Sequence, residues 1–433
     1  MQMPLLAKPM DGACGHSPRR PSFDARLGRE ARKFTYCVHK DEQDRLSPAV
    51  RNVEIANAEA CKLACARSRP AAGTVAAFNQ VAAGDEKDSR MKIVRVAQPA
   101  AIDQLRISAA DPRPPQPGEV MVRFRATSLN YHDLLVVNGG IPTPPGRIPM
   151  SDGAGEVLEV GPPLPDAPRD PSCIFKPGDL VMSTFFRHWH DGEPTAVKCG
   201  AVYGESIDGY ACEIATVPAT SLTKAPAGLT ALEAATLPCA ALTAWRALVV
   251  QGGVKAGDTV LVQGSGGVSV FALQIAKAVG ATVIATSSSD EKLQRLLALG
   301  ADHGINYKAT PKWGAAARSL TDGRGVDHVV EIGGAGTLNQ SITACRVGGH
   351  IAMIGVLTGR EGEVSTVRLL ANQIRLQGVM VGSRADQLAM VRAFEACRIK
   401  PIVDASFALE DMGQAFRHQM SGSHFGKISV AVD

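Results

Sequence analysis

One stretch, residues 258–292, constrains the fold of this chain more than any other. Residues 259–263 are short, apolar and β-branched, and Gly264 ends them, which is the pattern of a buried parallel strand. Gly264, Gly266 and Gly267 follow; without Cβ atoms they permit a tight turn and a close approach of backbone to ligand. Over residues 268–279 the apolar side chains of Val268, Phe271, Leu273, Ile275, Ala276 and Val279 recur at helical spacing, and Gly280 closes the run. Residues 282–286 read as a second strand. The result is a βαβ unit whose helix points free N–H groups and the positive end of its dipole at the glycine turn, where a pyrophosphate fits. A strand before and a helix after is the context that a dinucleotide motif requires. Gly264, Ser265, Gly266, Gly267 and Val268 are therefore expected to bind a dinucleotide. The alternative is a βαβ unit whose glycines only make the turn, and Ser269 stands where a third glycine is usual.

Composition narrows the rest. The chain has 433 residues, 45% hydrophobic and 20% charged, which is ordinary for a globular protein and allows two or three domains. No apolar run is long enough to span a bilayer, and the first residues have no secretory core. Ten cysteines are scattered without a disulfide framework, so a reducing, cytoplasmic location is expected. Residues 1–90 carry 15 Lys/Arg against 11 Asp/Glu, whereas residues 91–433 carry 31 of each. A main body without basic excess gives no sign of nucleic acid as a partner. Residues 1–90 lack sustained periodicity and read as a disordered extension, or as sequence upstream of a true start at Met91. Residues 19–33 are basic like a transit peptide, but Asp24 and Glu30 interrupt them. Cys61 and Cys65 have no second pair nearby to complete a zinc site.

From Met91 the texture changes. Residues 92–98 and 119–129 read as strands, the second with Val120, Val122 and Phe124 on one face and Met121, Arg123 and Arg125 on the other. Asn130-Tyr131-His132-Asp133 opens a short helix through Val137. Residues 154–160, 179–185 and 210–217 read as further strands, and 232–249 as one apolar helix. Beyond the βαβ unit, strands at 304–306, 327–332, 350–354 and 376–381 alternate with helices at 291–299, 338–345 and 368–373. This gives six strands and predicts an α/β fold with a doubly wound parallel sheet next to a β-rich domain. Helices at 386–397 and 409–420 and a strand at 427–432 return the chain to mixed structure.

Several motifs in this order resemble one family. They are Asn130-Tyr131-His132-Asp133, Ser151-Asp152-Gly153-Ala154-Gly155, residues 237–245 from Leu-Pro-Cys to Trp245, Val262 to Val268, Gly300-Ala301-Asp302 and His424-Phe425-Gly426-Lys427. Over residues 91–433 the chain is similar to the medium-chain dehydrogenase/reductase superfamily, nearest to its zinc-independent quinone oxidoreductase and zinc-less alcohol dehydrogenase-like branch. The resemblance implies a GroES-like catalytic domain over 91–225, a Rossmann domain over 226–381 and a return to the catalytic domain over 382–433. It places Asn130 where zinc members carry their first Cys ligand, Ser151 where they carry His, and Asp152 where they carry a neighbouring Glu. Only Cys239 matches a ligand position, and one thiolate without an imidazole does not close a tetrahedral site. His188 and His190 lack a third ligand. No metal is expected.

Cofactor choice turns on the end of the second strand. A carboxylate there would bind the ribose of NAD and repel a 2′-phosphate. Ser287 occupies the position, and the resemblance gives Lys292 and Tyr307 the part of phosphate partners. NADP is thus the expected cofactor, with NAD as the alternative. Gly333, Gly334, Ile354, Gly355 and Val356 end later strands, where ligands bind in such sheets. The resemblance puts Asn130, Tyr131 and His132 beside the nicotinamide. Tyr131 is the first choice as hydrogen-bond donor to the developing oxyanion, and His132, with a pKa near neutrality, suits proton relay. Asp133 reads as a helix cap and Cys239 as a buried apolar residue. Hydride transfer between NADP(H) and a small carbonyl, enone or quinone substrate is the expected function, in a homodimer or homotetramer. A zinc-type alcohol dehydrogenase and a nucleotide-binding protein without turnover are the alternatives.

Overall fold

A computed structural model describes residues 90–164 and 170–432. The expected extension before Arg90, with Cys61 and Cys65, lies outside the described residues. The first sheet region begins with the antiparallel pair β1 (Met91–Val96) and β2 (Leu105–Ala110). Strand β3 (Glu119–Ser128) then runs through the centre of a seven-stranded sheet with β4 (Ala154–Val160), β5 (Leu180–Ser183), β6 (Ile214–Pro218) and β7 (Leu222–Lys224). Val120, Val122 and Phe124 are buried on one face of β3, as the alternation predicts, because a two-residue period sends every second side chain inward. Between β3 and β4 lies helix α1 (Tyr131–Val137), whose Leu134, Val136 and Val137 pack into the same core.

The parallel sheet has β8 (Thr259–Gln263), β9 (Thr282–Ser287), β10 (His303–Asn306), β11 (Val326–Glu331), β12 (Cys345–Met353) and β13 (Arg375–Gly378), in the order β10-β9-β8-β11-β12-β13. Helices α2 (Gly267–Ala278), α3 (Asp290–Ala298), α4 (Trp313–Ser319), α5 (Ala335–Ala344) and α6 (Thr366–Ala371) connect its strands. Every residue of β11 is buried, and so are Val260 to Gln263 of β8, as expected of strands covered on both faces. The strand order reverses between β8 and β11, and a doubly wound sheet binds its ligand at that crevice. Helix α7 (Arg384–Cys397) and then β14 (Val403–Ala408), helix α8 (Met412–Ser421) and β15 (Lys427–Ala431) follow, and β15 pairs antiparallel with β3 in the first sheet. The fold class is the predicted one: a β-rich GroES-like sheet together with a Rossmann doubly wound parallel sheet.

Three local expectations change. The apolar stretch 232–249 is not one regular helix. It is a turn at Ala231–Ala234, a wide π turn at Leu237–Ala241, an α turn at Leu242–Trp245 and a second π turn at Arg246–Val250. Pro238 removes an N–H and crowds the preceding turn, which loosens the winding there. The strand expected from Tyr210 starts only at Ile214, and Tyr210 is instead fully buried against Phe124 and Tyr203. Helix α4 and strands β2, β7 and β14 are additions to the expected elements; Gly314, Ala315 and Ala316 give α4 too little apolar contrast to show a period.

Candidate active site

The glycine turn sits where the βαβ pattern puts it. Gly264 has φ +70°, a left-handed value that glycine adopts without strain, and Gly266 stands just before the first turn of α2. Ser269, in the place of a third glycine, is buried and donates its hydroxyl to the Gln263 carbonyl at 2.5 Å, so its side chain closes onto β8. The Ser265 carbonyl accepts the N–H of Gly426 at 2.8 Å. Gly355 packs so closely on Ile332 that a Cβ would stand 2.2 Å from its carbonyl oxygen, and Gly333 and the partly exposed Val356 flank the same crevice.

At the end of β9, the Ser287 hydroxyl accepts the N–H of Ser289 at 3.3 Å, and the Ser289 hydroxyl caps α3 by accepting the N–H of Lys292. Tyr307 follows β10, donates its N–H to the Ser287 carbonyl and leaves its ring exposed. Lys292 departs from expectation. Its ammonium is engaged by the carbonyls of Gly422 at 2.6 Å and His424 at 2.8 Å rather than left open for a phosphate. Burial also pulls its pKa down from the usual lysine range.

The catalytic candidates split. Asn130 caps α1 from a buried position, donating its backbone N–H to Asp133 Oδ2 at 3.0 Å. Asp133 Oδ1 accepts the N–H of Ser151 at 2.8 Å, so this carboxylate braces two turns, as its helix-cap reading foresees. Both amide hydrogens of Asn130 are already used, one by Ser151 Oγ at 3.2 Å and one by Asp152 Oδ2 at 2.9 Å. The expected role of Asn130 as an oxyanion donor is thereby corrected: it has no N–H left to give. Its Oδ1 accepts from Lys427, whose ammonium also donates to the Leu129 carbonyl at 2.7 Å. Lys427 is 4% exposed and lies 3.8 Å from Asp152. Burial pushes Asp152 up to about 7, while Lys427 and the bonds from Asn130 and Ser128 oppose that rise. Burial also pushes the Cys239 thiol well above the usual range, which keeps it a neutral thiol.

Lys427 enters the sequence analysis only as the end of the His424-to-Lys427 motif, without a role, and the contacts that make it a centre are not visible there. A lysine 297 residues away from Asn130 carries no local signal; only the Gly-Lys pair opening a strand marks it. The Lys427 stem lies against Gly267, where a Cβ would stand 2.5 Å from Lys427 Cδ, so this one side chain touches both the glycine turn and the Asn130 cluster.

His132 is also corrected. Its Nε2 lies 2.7 Å from Glu205 Oε2, its Nδ1 lies 3.6 Å from Asp133 Oδ1, and its ring stacks edge-on to Phe185. Burial opposes a charge on the ring, but the nearby Asp133 carboxylate and the hydrogen-bonded Glu205 carboxylate outweigh it and raise the pKa to about 9. His132 is therefore an imidazolium at neutral pH, not a group poised between two forms. Glu205, in the polar loop over residues 187–208, escapes a sequence reading because nothing in its local sequence aims it at α1. Tyr131 stays 44% exposed at the start of α1, and among the described residues its hydroxyl has no hydrogen-bond partner. Among the described residues no group of three His, Cys, Asp or Glu side chains is arranged to hold a metal, and no helix is long and apolar enough to cross a membrane.

Known proteins are similar to this chain in sequence and in fold. Residues 116–227 match the alcohol dehydrogenase GroES-like domain, and residues 267–396 match the zinc-binding dehydrogenase family. A zinc-type alcohol dehydrogenase-like protein of Schizosaccharomyces pombe is 41% identical over 344 residues, covering 77% of this chain and 97% of that protein. An acryloyl-coenzyme A reductase of Sulfurisphaera tokodaii is 28% identical over 331 residues, covering 73% of this chain and 93% of its own. The crystal structure of an NAD-dependent alcohol dehydrogenase superposes with a TM-score of 0.71 at 33% identity, over 79% of this chain and all of the other. A crotonyl-CoA carboxylase/reductase solved with NADP superposes with a TM-score of 0.67 at 26% identity, over 79% of this chain and 95% of the other. With the GroES-like sheet, the doubly wound sheet and the glycine turn in their shared order, the chain belongs to the medium-chain dehydrogenase/reductase superfamily and is an oxidoreductase of that kind.

Proposed function

We propose that this chain is a zinc-independent oxidoreductase that moves a hydride between NADP(H) and a small carbonyl, enone or quinone. One observation carries the zinc-independent part: the Lys427 ammonium is buried among Asn130, Leu129 and Asp152, the side of the cleft where zinc members hold their ligands. An amide, a hydroxyl and one thiol held neutral are poor donors for zinc, and a fixed cation among them opposes a second one. The residues present do not fit the metal.

When bound, a nicotinamide supplies or takes the hydride. The residues of this chain do the remainder. Tyr131, with its hydroxyl unengaged, donates a hydrogen bond to the substrate oxygen as charge builds there. His132 adds a fixed positive charge at the start of α1. Lys427, Asp152 and Asp133 hold the Asn130 turn in place beneath both.

NADP is favoured by Ser287, since no carboxylate ends β9 to repel a 2′-phosphate, and by the NADP held in the crotonyl-CoA neighbour. NAD is the second reading, because Lys292 is occupied by two carbonyls and one structural relative is NAD-dependent. A homodimer or homotetramer in a reducing, cytoplasmic setting completes the proposal. Strand β13 is one of the two edges of the parallel sheet among the described residues, β10 being the other; Leu370 and Met380 near β13 are exposed, and the six described cysteines are unpaired. The test is oxidation of NADPH and of NADH against a panel of enones, quinones and aldehydes, with elemental analysis of the same preparation. Turnover without stoichiometric zinc supports the reading. Zinc at one per chain that is needed for turnover sinks it, and cofactor binding without turnover on any substrate favours a binding protein.

A further inference from the structure

The crevice where the strand order reverses holds a carboxylate that the cofactor motif does not include. Glu331 is the last residue of β11 and is fully buried. Its Oε1 accepts the backbone N–H of Gly333 at 2.7 Å, that of Gly334 at 3.0 Å and the hydroxyl of Thr337 at 2.6 Å. Its Oε2 accepts Gln263 Nε2 at 2.7 Å and the hydroxyl of Ser341. The Gln263 Oε1 in turn faces the N–H groups of Ile332 and Gly333, both at 3.4 Å. All five donors to Glu331 are dipoles rather than cations, and a carboxylate is the one side chain that accepts so many without offering a proton.

Holding the turn after β11 needs only Oε1. The other oxygen reaches across to Gln263, the last residue of β8, which directly precedes Gly264. Strands β8 and β11 are neighbours in the sheet, and their ends flank the reversal of strand order. The turn on the β11 side has little freedom of its own: Gly334 has φ +92°, and a Cβ on Gly333 would stand 2.2 Å from Thr337 Oγ1. One buried carboxylate thus ties two glycine turns together at the place where such sheets bind their ligand.

We infer that Glu331, acting through Gln263, is a positioning residue for the dinucleotide: it sets the spacing between the turn at Gly264–Gly267 and the turn at Gly333–Gly334. The inference rests on reading this crevice as the dinucleotide site. Ion pairing is not what the carboxylate supplies here. It supplies acceptors on both sides of the crevice, and Glu331→Gln replaces one acceptor with an NH2 facing the NH2 of Gln263.

The experiment titrates NADPH and NADH by fluorescence into the full chain, Glu331→Gln, and the swap Glu331→Gln with Gln263→Glu, with thermal melts and steady-state kinetics on each. Glu331→Gln is expected to weaken cofactor binding about tenfold or more, the loss that a buried donor without an acceptor brings. Its kcat at saturating cofactor is expected to stay within about threefold of the parent, since a binding term moves KM rather than kcat. In the swap, the amide introduced at position 331 keeps an oxygen for Gly333, Gly334 and Thr337 and gives its NH2 to the carboxylate introduced at position 263. Affinity is then expected to return to within about threefold of the parent, because the two changes are coupled. Parental affinity in Glu331→Gln overturns the inference. A swap that does not fold, or that binds no better than the single variant, also overturns it. A parent chain that binds neither cofactor overturns the dinucleotide reading itself, a result visible before any variant is made.

Discussion

The ammonium of Lys427 donates to the side-chain oxygen of Asn130 across 297 residues of sequence. It also lies 3.8 Å from Asp152, and both side chains are buried. Removing one partner of a buried charged pair leaves the other without compensation, so Lys427→Met is expected to cost roughly 3 kcal/mol of stability. Lys427→Met combined with Asp152→Asn is expected to cost less than the sum of the two single changes. Urea unfolding of the four proteins of this cycle checks the coupling; strict additivity contradicts it.

Tyr131→Phe separates chemistry from stability. Its hydroxyl has no partner among the described residues and its ring is half-exposed, so the melting temperature should scarcely move. If the phenol donates to the substrate oxygen, kcat falls about tenfold to a hundredfold. Unchanged turnover assigns Tyr131 to the pocket wall.

His132 should carry its proton through the physiological range. Glu205 lies 2.7 Å from Nε2, and its hydrogen bond and charge help to raise the pKa to about 9. Glu205→Gln is expected to bring His132 down towards the ordinary range of about 6.5. Nitrogen chemical shifts of the labelled ring, followed from about pH 6 to about pH 10, read this directly and do not depend on knowing the substrate.

Acid stability has a different source. Burial, with Arg375 and His328 adding to it, pushes His350 down to about 4, and neither ring nitrogen has a partner among the described residues. A folded pKa below the unfolded value means that the unfolded chain takes up a proton first as pH falls. The contribution is intact above about pH 6.5 and is lost progressively as pH drops towards 4, by roughly 3 kcal/mol in total. His350→Leu is expected to flatten the fall in unfolding free energy between about pH 7.5 and about pH 4.5; an unchanged slope assigns that fall to other groups.

How much the sequence reveals depends on how local the signal is. The unit from β8 to β9 is readable because strand, glycine turn and helix each carry their own period within about thirty residues. The buried face of β3 is readable from its alternation alone. Glu205, Glu331 and Lys427 are not, because each matters through a partner that is remote in sequence, and a carboxylate or an ammonium in a loop or at a strand end looks the same whether it is solvated or buried. The residue types of His132 and Asn130 suggest donors. Their neighbours decide otherwise, Glu205 by fixing a charge and Ser151 with Asp152 by using up the amide hydrogens.

The segment from Gly422 to Lys427 lends its carbonyls to Lys292, gives the N–H of Gly426 to Ser265 and delivers Lys427 to Asn130. It therefore acts as a gauge whose length is fixed at both ends. Strand side chains alternate between faces, so adding or removing a single residue here would turn Lys427 to the opposite side of β15 and leave the Asn130 cluster with no cation. Surface loops ordinarily absorb changes of length with little harm. Along this one, a change of length is expected to be as costly as a substitution at Gly426, where a Cβ would stand 2.5 Å from the Ile402 carbonyl oxygen, or at Lys427.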